Sequence, residues 1–172
     1  MKLKIRRGEP KDLDKMYEMH LKCFDKNDCW YKSAMANYIN DSIIIEIIDE
    51  IDFGRIIGIL LQGNITPCDK DEVITKNNID INIDGHKSYS GIMMICVDPE
   101  FRGKCLGNKL IEKHFLDNPN KLLCLNTRKS NIKAQKLYNK MGYIHYGDIK
   151  NKYFLPNETS HFMIYDNRKK TE

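Results

Sequence analysis

The stretch that most constrains this chain is Val-Asp-Pro-Glu-Phe-Arg-Gly-Lys-Cys-Leu-Gly, residues 97–107. The apolar residues 92–97 read as a short buried strand, and Asp98-Pro99 stops it because proline cannot donate to a sheet ladder. A basic, glycine-containing turn follows at residues 102–107. Leu106, Leu110, Ile111 and Phe115 then recur at helical spacing and form a buried face. Such a junction aims several backbone N–H groups at one spot, at the positive end of a helix dipole. Arg102 and Lys104 add cationic side chains. The arrangement suits an anion of pyrophosphate type. A P-loop is excluded, because no G-x-x-x-x-G-K-[ST] is present.

The remaining pattern sets elements around that junction. Residues 3–7 read as a first strand. Glu9-Pro10 opens a helix whose face is Leu13, Met16, Tyr17, His20 and Phe24. A turn at 25–28 precedes a second short helix marked by Trp30, Ala34 and Tyr38. Residues 43–48 and 55–62 form a hairpin across a polar turn at 49–54. Residues 63–88 are polar and rich in asparagine, with turn signals at 66–67 and 84–85. They read as an insertion or loop in which the alternating Ile79, Ile81 and Ile83 extend the sheet. Residues 90–97 form the central strand and 121–126 another. Ala134, Leu137, Tyr138 and Met141 line the next helix, with Gly142 as its C-terminal cap. Residues 144–149 and 161–165 close the sheet, and 167–172 are a polar tail. The order β-α-α-β-β-β-α-β-α-β-β mixes hairpins with crossovers, so the sheet is expected to be mixed.

A chain of 172 residues fits one domain, 1–172, with a single core. The N-terminus lacks the apolar stretch of a signal peptide, and no run approaches the ~18 residues of a membrane span. Six cysteines, at 23, 29, 68, 96, 105 and 124, include no C-x-x-C pair. They read as reduced thiols in a reducing, cytoplasmic setting. His20 and Cys23 share a helical face, but no second pair with ligand spacing follows, so no metal is expected. The net charge of +4 is mild and unblocked, which gives no support to nucleic-acid binding.

A second segment, Leu-Asn-Thr-Arg-Lys-Ser-Asn-Ile-Lys-Ala-Gln-Lys-Leu-Tyr-Asn-Lys-Met-Gly-Tyr at 125–143, follows the first at a fixed separation. Together the two resemble the GCN5-related N-acetyltransferases. Arg-x-x-Gly-x-Gly/Ala after Asp-Pro is that family's first motif. Asn131, Ala134, Leu137-Tyr138 and Gly142-Tyr143 fit its second. The resemblance implies an α/β (α+β in some schemes) fold with a mixed, mostly antiparallel sheet of six to seven strands flanked by about four helices. It implies acetyl-CoA as cosubstrate, with no metal.

By resemblance, Arg102, Gly103, Lys104, Cys105, Leu106, Gly107 and Asn108 would hold the pyrophosphate. Ile95 and Val97 would offer backbone bonds to the pantetheine arm, which Asn131 and Ala134 approach from the other side. The N–H near Cys96 would stabilise an oxyanion. Tyr138 would protonate the departing thiolate, a fitting task for a phenol of ordinary pKa ~10. Cys105 departs from the pattern, since a glycine usually stands there. A positive φ at this residue would cost about 1–2 kcal/mol. The central strand carries no acid or histidine. Glu46 is expected to face the surface, and no general base is assigned.

The closing segment resembles the RimI-like and protein Nα-acetyltransferases, which carry an aromatic pair there, matched by Tyr153-Phe154. Arg128 to Asn131 also fits those enzymes. Phe24, Trp30 and Tyr31 fall where they place aromatics, and with Tyr153 would wall a pocket for an acceptor. Some of these enzymes have a catalytic histidine where this chain has Asn126. The acceptor is then a peptide or protein α-amine. A small amine such as a polyamine is the alternative, drawn to Asp69, Asp71, Glu72, Asp80 and Asp84. A catalytically weak CoA-binding or interaction module is the alternative of another class. A monomer or homodimer is expected, with neither nucleic acid nor membrane as partner.

Overall fold

Four isoleucines in five residues make β2 (Ile43–Ile47), and every position in it is buried. Burial on both faces explains why this segment reads as a continuous apolar run rather than an alternating one. In the computed structural model, which describes residues 1–25, 28–48, 53–63, 73–76, 89–154 and 156–170, β2 lies between β1 (Leu3–Arg7) and β3 (Ile56–Gly63). Both pairings are antiparallel. A register shift between Ile45 and Glu46 marks a bulge.

The chain forms two units, Met1–Gly63 with Met93–Leu116 and Asn64–Ile92 with Asp117–Glu172. The strand β5 (Tyr89–Val97) contributes its second part to the first unit and its first part to the other. The first unit also holds α1 (Leu13–Cys23), α2 (Lys32–Ala36) and the body of α3 (Leu106–Asp117). Its strand order is β1-β2-β3-β5. Met16, Met35, Ile44, Ile59, Leu61 and Met94 form its core.

The second unit contains β4 (Val73–Lys76), β6 (Leu122–Arg128), α4 (Ile132–Lys140), β7 (Ile144–Phe154) and β8 (Asn157–Asp166). Its strand order is β5-β6-β8-β7-β4. Every registered pairing in the chain is antiparallel except β5 with β6, which runs in parallel from Tyr89↔Leu122 to Ile92↔Leu125. Cys124, Ile149, Phe162 and Ile164 form a core here, with Tyr146 packed against them.

The mixed, mostly antiparallel sheet and the four helices stand as expected. Among the described residues the sheet has eight strands, the expected seven with β4 added at the edge beside β7. It lies at Val73–Lys76. The alternating Ile79, Ile81 and Ile83, the turn signals at 66–67 and 84–85, Cys68 and the acidic residues Asp69, Asp71, Glu72, Asp80 and Asp84 lie outside the described residues, as do parts of the turns at 25–28 and 49–54. The polar tail is corrected in part. Residues Asn167–Lys170 form a 3-10 turn, and Asn167 is buried, its Nδ2 donating to Asn118 O at 2.8 Å. On α3, His114 rather than Phe115 takes the fully buried position, with its Nδ1 2.5 Å from Gln62 Oε1.

Glu46 does not face the surface. Its carboxylate accepts from Arg6 Nη2 at 2.8 Å, and the same guanidinium grips Asp12 in a two-pronged bond of 2.6 and 2.9 Å. Asp12 also accepts the Glu9 N–H at 2.8 Å, closing a capping box at the start of the 3-10 turn Pro10–Asp12. Arg6 side-chain exposure is 18%, against 7% for Asp12 and 12% for Glu46. Removing the cation would strand two carboxylates in a poorly hydrated place. Arg6→Ala is therefore expected to lower the unfolding free energy by about 3 kcal/mol in urea titration. A loss below about 1 kcal/mol would rank the cluster with ordinary surface pairs.

Candidate functional site

The end of β5 is set by Asp98, which is 2% exposed. Its carboxylate accepts the Glu100 N–H at 3.0 Å and a bond from Arg55 Nη2 at 3.0 Å, while its own N–H donates to Ile57 O at 3.0 Å. Burial works against its ionisation, but the bonds from Arg55 and Glu100 outweigh it and hold the carboxyl below the usual range. The 3-10 turn Pro99–Phe101 follows, and Arg55 and Lys104 both lie over the Phe101 ring at 4.9 Å.

Arg102, Gly103, Lys104 and Cys105 are exposed, Leu106 is buried, and Gly107 and Asn108 are half-buried. Arg102 Nε donates to Val97 O at 3.2 Å, folding its side chain back along the strand end. Gly103 has φ +79° and Cys105 φ +55°. Two left-handed residues within three positions turn the backbone toward the start of α3. The Cys105 carbonyl accepts the Lys109 N–H at 3.3 Å, so Cys105 caps the helix. The N–H groups of Leu106, Gly107 and Asn108 have no acceptor within the helix, as at any helix start. The positive φ at Cys105 is thus the strained case raised by the sequence, and its thiol points to solvent rather than into the turn.

Along β5, Cys96 is buried and Ile95 and Val97 are half-buried. Cys23, at the end of α1, donates its thiol to Val97 O at 3.4 Å. Cys96 and Cys23 interact. The Cys96 thiol is pushed up by burial, while Cys23 is lowered to about 7 by its bond with Cys96 and the nearby Arg102 charge, against its own desolvation. Nothing in the spacing of residues 23 and 96 signals this meeting, which depends on where α1 ends. The described cysteines are all free thiols.

Of the four aromatics expected at the acceptor, the three in the first unit differ in their surroundings. Phe24 stacks on His20 with centroids 4.8 Å apart, and Trp30 sets its ring edge-on to Tyr38 at 5.6 Å. Both pack against the first core, whereas Tyr31 is 81% exposed. His20 joins them. It is wholly buried, and its Nε2 accepts the Trp30 N–H at 2.9 Å, which fixes the chain between α1 and α2.

In the second unit Asn131 caps α4, its Oδ1 accepting the Ala134 N–H at 3.1 Å. Ala134 is half-buried. Tyr138 is 5% exposed, edge-on to Tyr143 at 5.9 Å. Burial, with a smaller contribution from Tyr153, raises its phenol above the ordinary value, so it carries its proton. Gly142 has φ +91° and ends the helix as expected. Tyr153 lies under the Arg128 guanidinium at 4.2 Å. Glu158 braces the same loop, accepting from Arg128 at 3.3 Å, from the Ser130 N–H at 2.5 Å and from the Ser130 hydroxyl at 3.0 Å. Asn126 accepts the Ser160 hydroxyl at 3.1 Å.

These features have a common counterpart among known proteins. Residues 68–145 match the family model "Acetyltransferase (GNAT) domain". The chain has the GNAT fold, and residues 68–145 carry the sequence pattern of that domain. The GNAT fold recurs in the ribosomal-protein-S18-alanine N-acetyltransferase from Escherichia coli, 16% identical, covering 99% of this chain and 97% of that one at a TM-score of 0.73. Arabidopsis thaliana NAA60 in complex with acetyl-CoA is 15% identical over 96% and 99% of the two chains, with a TM-score of 0.76. Chaetomium thermophilum Naa20 in complex with a bisubstrate analogue is 18% identical over 98% and 93%, with a TM-score of 0.68. No curated protein matches the chain in sequence.

Two measurements test this local physics. Cys105→Gly removes a left-handed Cβ penalty and is expected to raise the unfolding free energy by about 1 kcal/mol. Lower stability would mean that the cysteine side chain contributes more than its backbone costs. His20, held neutral by burial, has a lowered pKa. Below the unfolded value of ~6.5 the unfolded chain takes up a proton that the folded one refuses, so this contribution to stability falls as pH drops toward the folded pKa. The loss in urea midpoint from pH 7 to pH 5 should be smaller in His20→Gln than in the parent. Equal losses would remove His20 as the titrating group.

Proposed function

We propose that this protein is a GNAT-family, acetyl-CoA-dependent N-acetyltransferase, acting as one domain on a primary amine, with a peptide or protein α-amine as the acceptor. The observation that carries this reading is the backbone turn after Asp98. Left-handed Gly103 and Cys105 lead into the start of α3 between two cationic side chains. That arrangement fits a diphosphate. The similarity in fold to NAA60 in complex with acetyl-CoA and to Naa20 in complex with a bisubstrate analogue supports it.

The proposed roles follow from chemistry of the chain's own groups. Acetyl-CoA supplies an activated acyl group and a thiolate leaving group. Residues 102–108 hold the diphosphate by N–H donors and charge. Ile95, Cys96 and Val97 lie beyond Ile92↔Leu125, the last parallel pair registered among the described residues, and supply backbone groups to the pantetheine and the thioester oxygen. The resemblance assigns the Asn131 amide and Ala134 to pantetheine binding as well. Tyr138 keeps its proton in a dry setting and gives it to the departing sulfur. Glu46 is excluded as base by its bond to Arg6, so the acceptor amine loses its proton to water. Phe24, Trp30, Tyr31 and Tyr153 are assigned to acceptor recognition.

Acetyl-CoA is to be incubated with peptides of varied first residue, spermidine and free amino acids, with thiol release and product mass as readouts. Acetylation of peptide α-amines is expected. Product on spermidine alone transfers the assignment to small amines, and CoA binding without any product reduces the protein to a binding module. Tyr138→Phe should lower kcat by about 10²-fold with little change in KM, and unchanged kcat removes Tyr138 as the acid. Bound CoA should also slow alkylation of Cys105, which sits in the proposed diphosphate turn. Equal rates with and without CoA place the cofactor elsewhere.

A further inference from the structure

The acetyltransferase reading makes no use of three side chains that meet on β7 and β8: His145, Asp148 and His161. His145 Nε2 lies 2.7 Å from Asp148 Oδ1 and 2.8 Å from His161 Nδ1, and His161 Nδ1 lies 2.7 Å from the same Oδ1. The Gly147 carbonyl is 3.0 Å from His145 Nε2. On a regular strand, residues three apart point to opposite faces. Here the register runs His145↔Met163 and then Gly147↔Phe162, so β7 carries one extra residue in a bulge. The bulge turns Asp148 to the face of His145, directly across from His161. Tyr146 goes to the other face, against Phe162.

Three such atoms, 2.7 to 2.8 Å from one another, leave room for about one hydrogen among them. A single proton bridges two of them at a time, whereas a divalent cation satisfies all three. We propose that His145, Asp148 and His161 form a binding site for a first-row divalent transition metal, joining β7 to β8. Two imidazoles and one carboxylate suit zinc, cobalt or nickel rather than magnesium or calcium, which prefer oxygen alone. Metal–ligand bonds of ~2.1 Å at right angles set neighbouring donors ~3.0 Å apart, and tetrahedral angles set them ~3.4 Å apart. The observed spacings lie nearer the first, so the three residues occupy one face of an octahedron. Side-chain exposures of 36%, 22% and 16% leave water free to fill the opposite face. His145 binds through Nε2 and His161 through Nδ1. The site is not needed for acetyl transfer, and its failure would leave that assignment intact. Its role is to clip the hairpin, adding a bond between strands where the bulge interrupts their ladder.

The full chain, stripped with a chelator, is to be titrated with zinc and cobalt chlorides by calorimetry. One equivalent should bind with Kd tighter than about 100 µM. At about a hundred times Kd, the melting temperature should rise by about 5 °C or more. The cobalt form should lack an intense thiolate charge-transfer band, which separates these residues from the free cysteines. In the unmodified protein, zinc should shift the ring signals of His145 and His161 in nitrogen-correlated spectra and leave those of His20 and His114 in place. His145→Gln with His161→Gln should weaken binding at least 100-fold. Weaker binding in the parent, a thiolate band, unmoved signals from the two rings, or binding retained in the folded double variant each overturns the proposal.

Discussion

The geometry of the proposed cofactor turn depends on one buried carboxylate. Asp98 stops β5, accepts the first N–H of the following turn and holds Arg55 across it. Its backbone N–H is tied to β3 at Ile57, which fixes the start of the turn to the sheet. A carboxylate so placed must stay ionised, and the bonds it accepts ensure that. The proline behind it then forbids the strand from continuing, so the basic segment has to leave the sheet.

Strain is accepted in that turn. A cysteine with a left-handed backbone costs what a glycine would not, and it occurs where the N–H groups of the helix start come together. Gly103, the other left-handed residue, has open space around it. The bend therefore demands its backbone shape for reasons other than packing. Close approach by an anion is a physical reason for keeping such a shape.

The chain disclosed its motif-bearing elements well and its side-chain commitments poorly. The Asp-Pro stop, the helix face around Tyr138 and the Gly142 cap could be read because each follows from local sterics or from a fixed period. The place of Glu46 was not legible because its neighbours on β2 say nothing about Arg6, forty residues earlier, reaching it from β1. β4 escaped notice because four residues at an edge carry too little periodicity. The His145–Asp148–His161 cluster was invisible for a further reason. Residues three apart on a strand should diverge, and only a bulge makes them agree.

Sequence alone determined where the strands and helices break, because proline, glycine and apolar period act over a few residues. It also determined the chemistry at hand near residue 102: cationic, flexible and rich in N–H donors. Tertiary structure decided which charges are spent on one another, that Cys23 meets Val97, and that three polar side chains of the last hairpin share one point. Those outcomes turn on register and on where elements end, and both are settled by packing between distant segments, which no local pattern encodes.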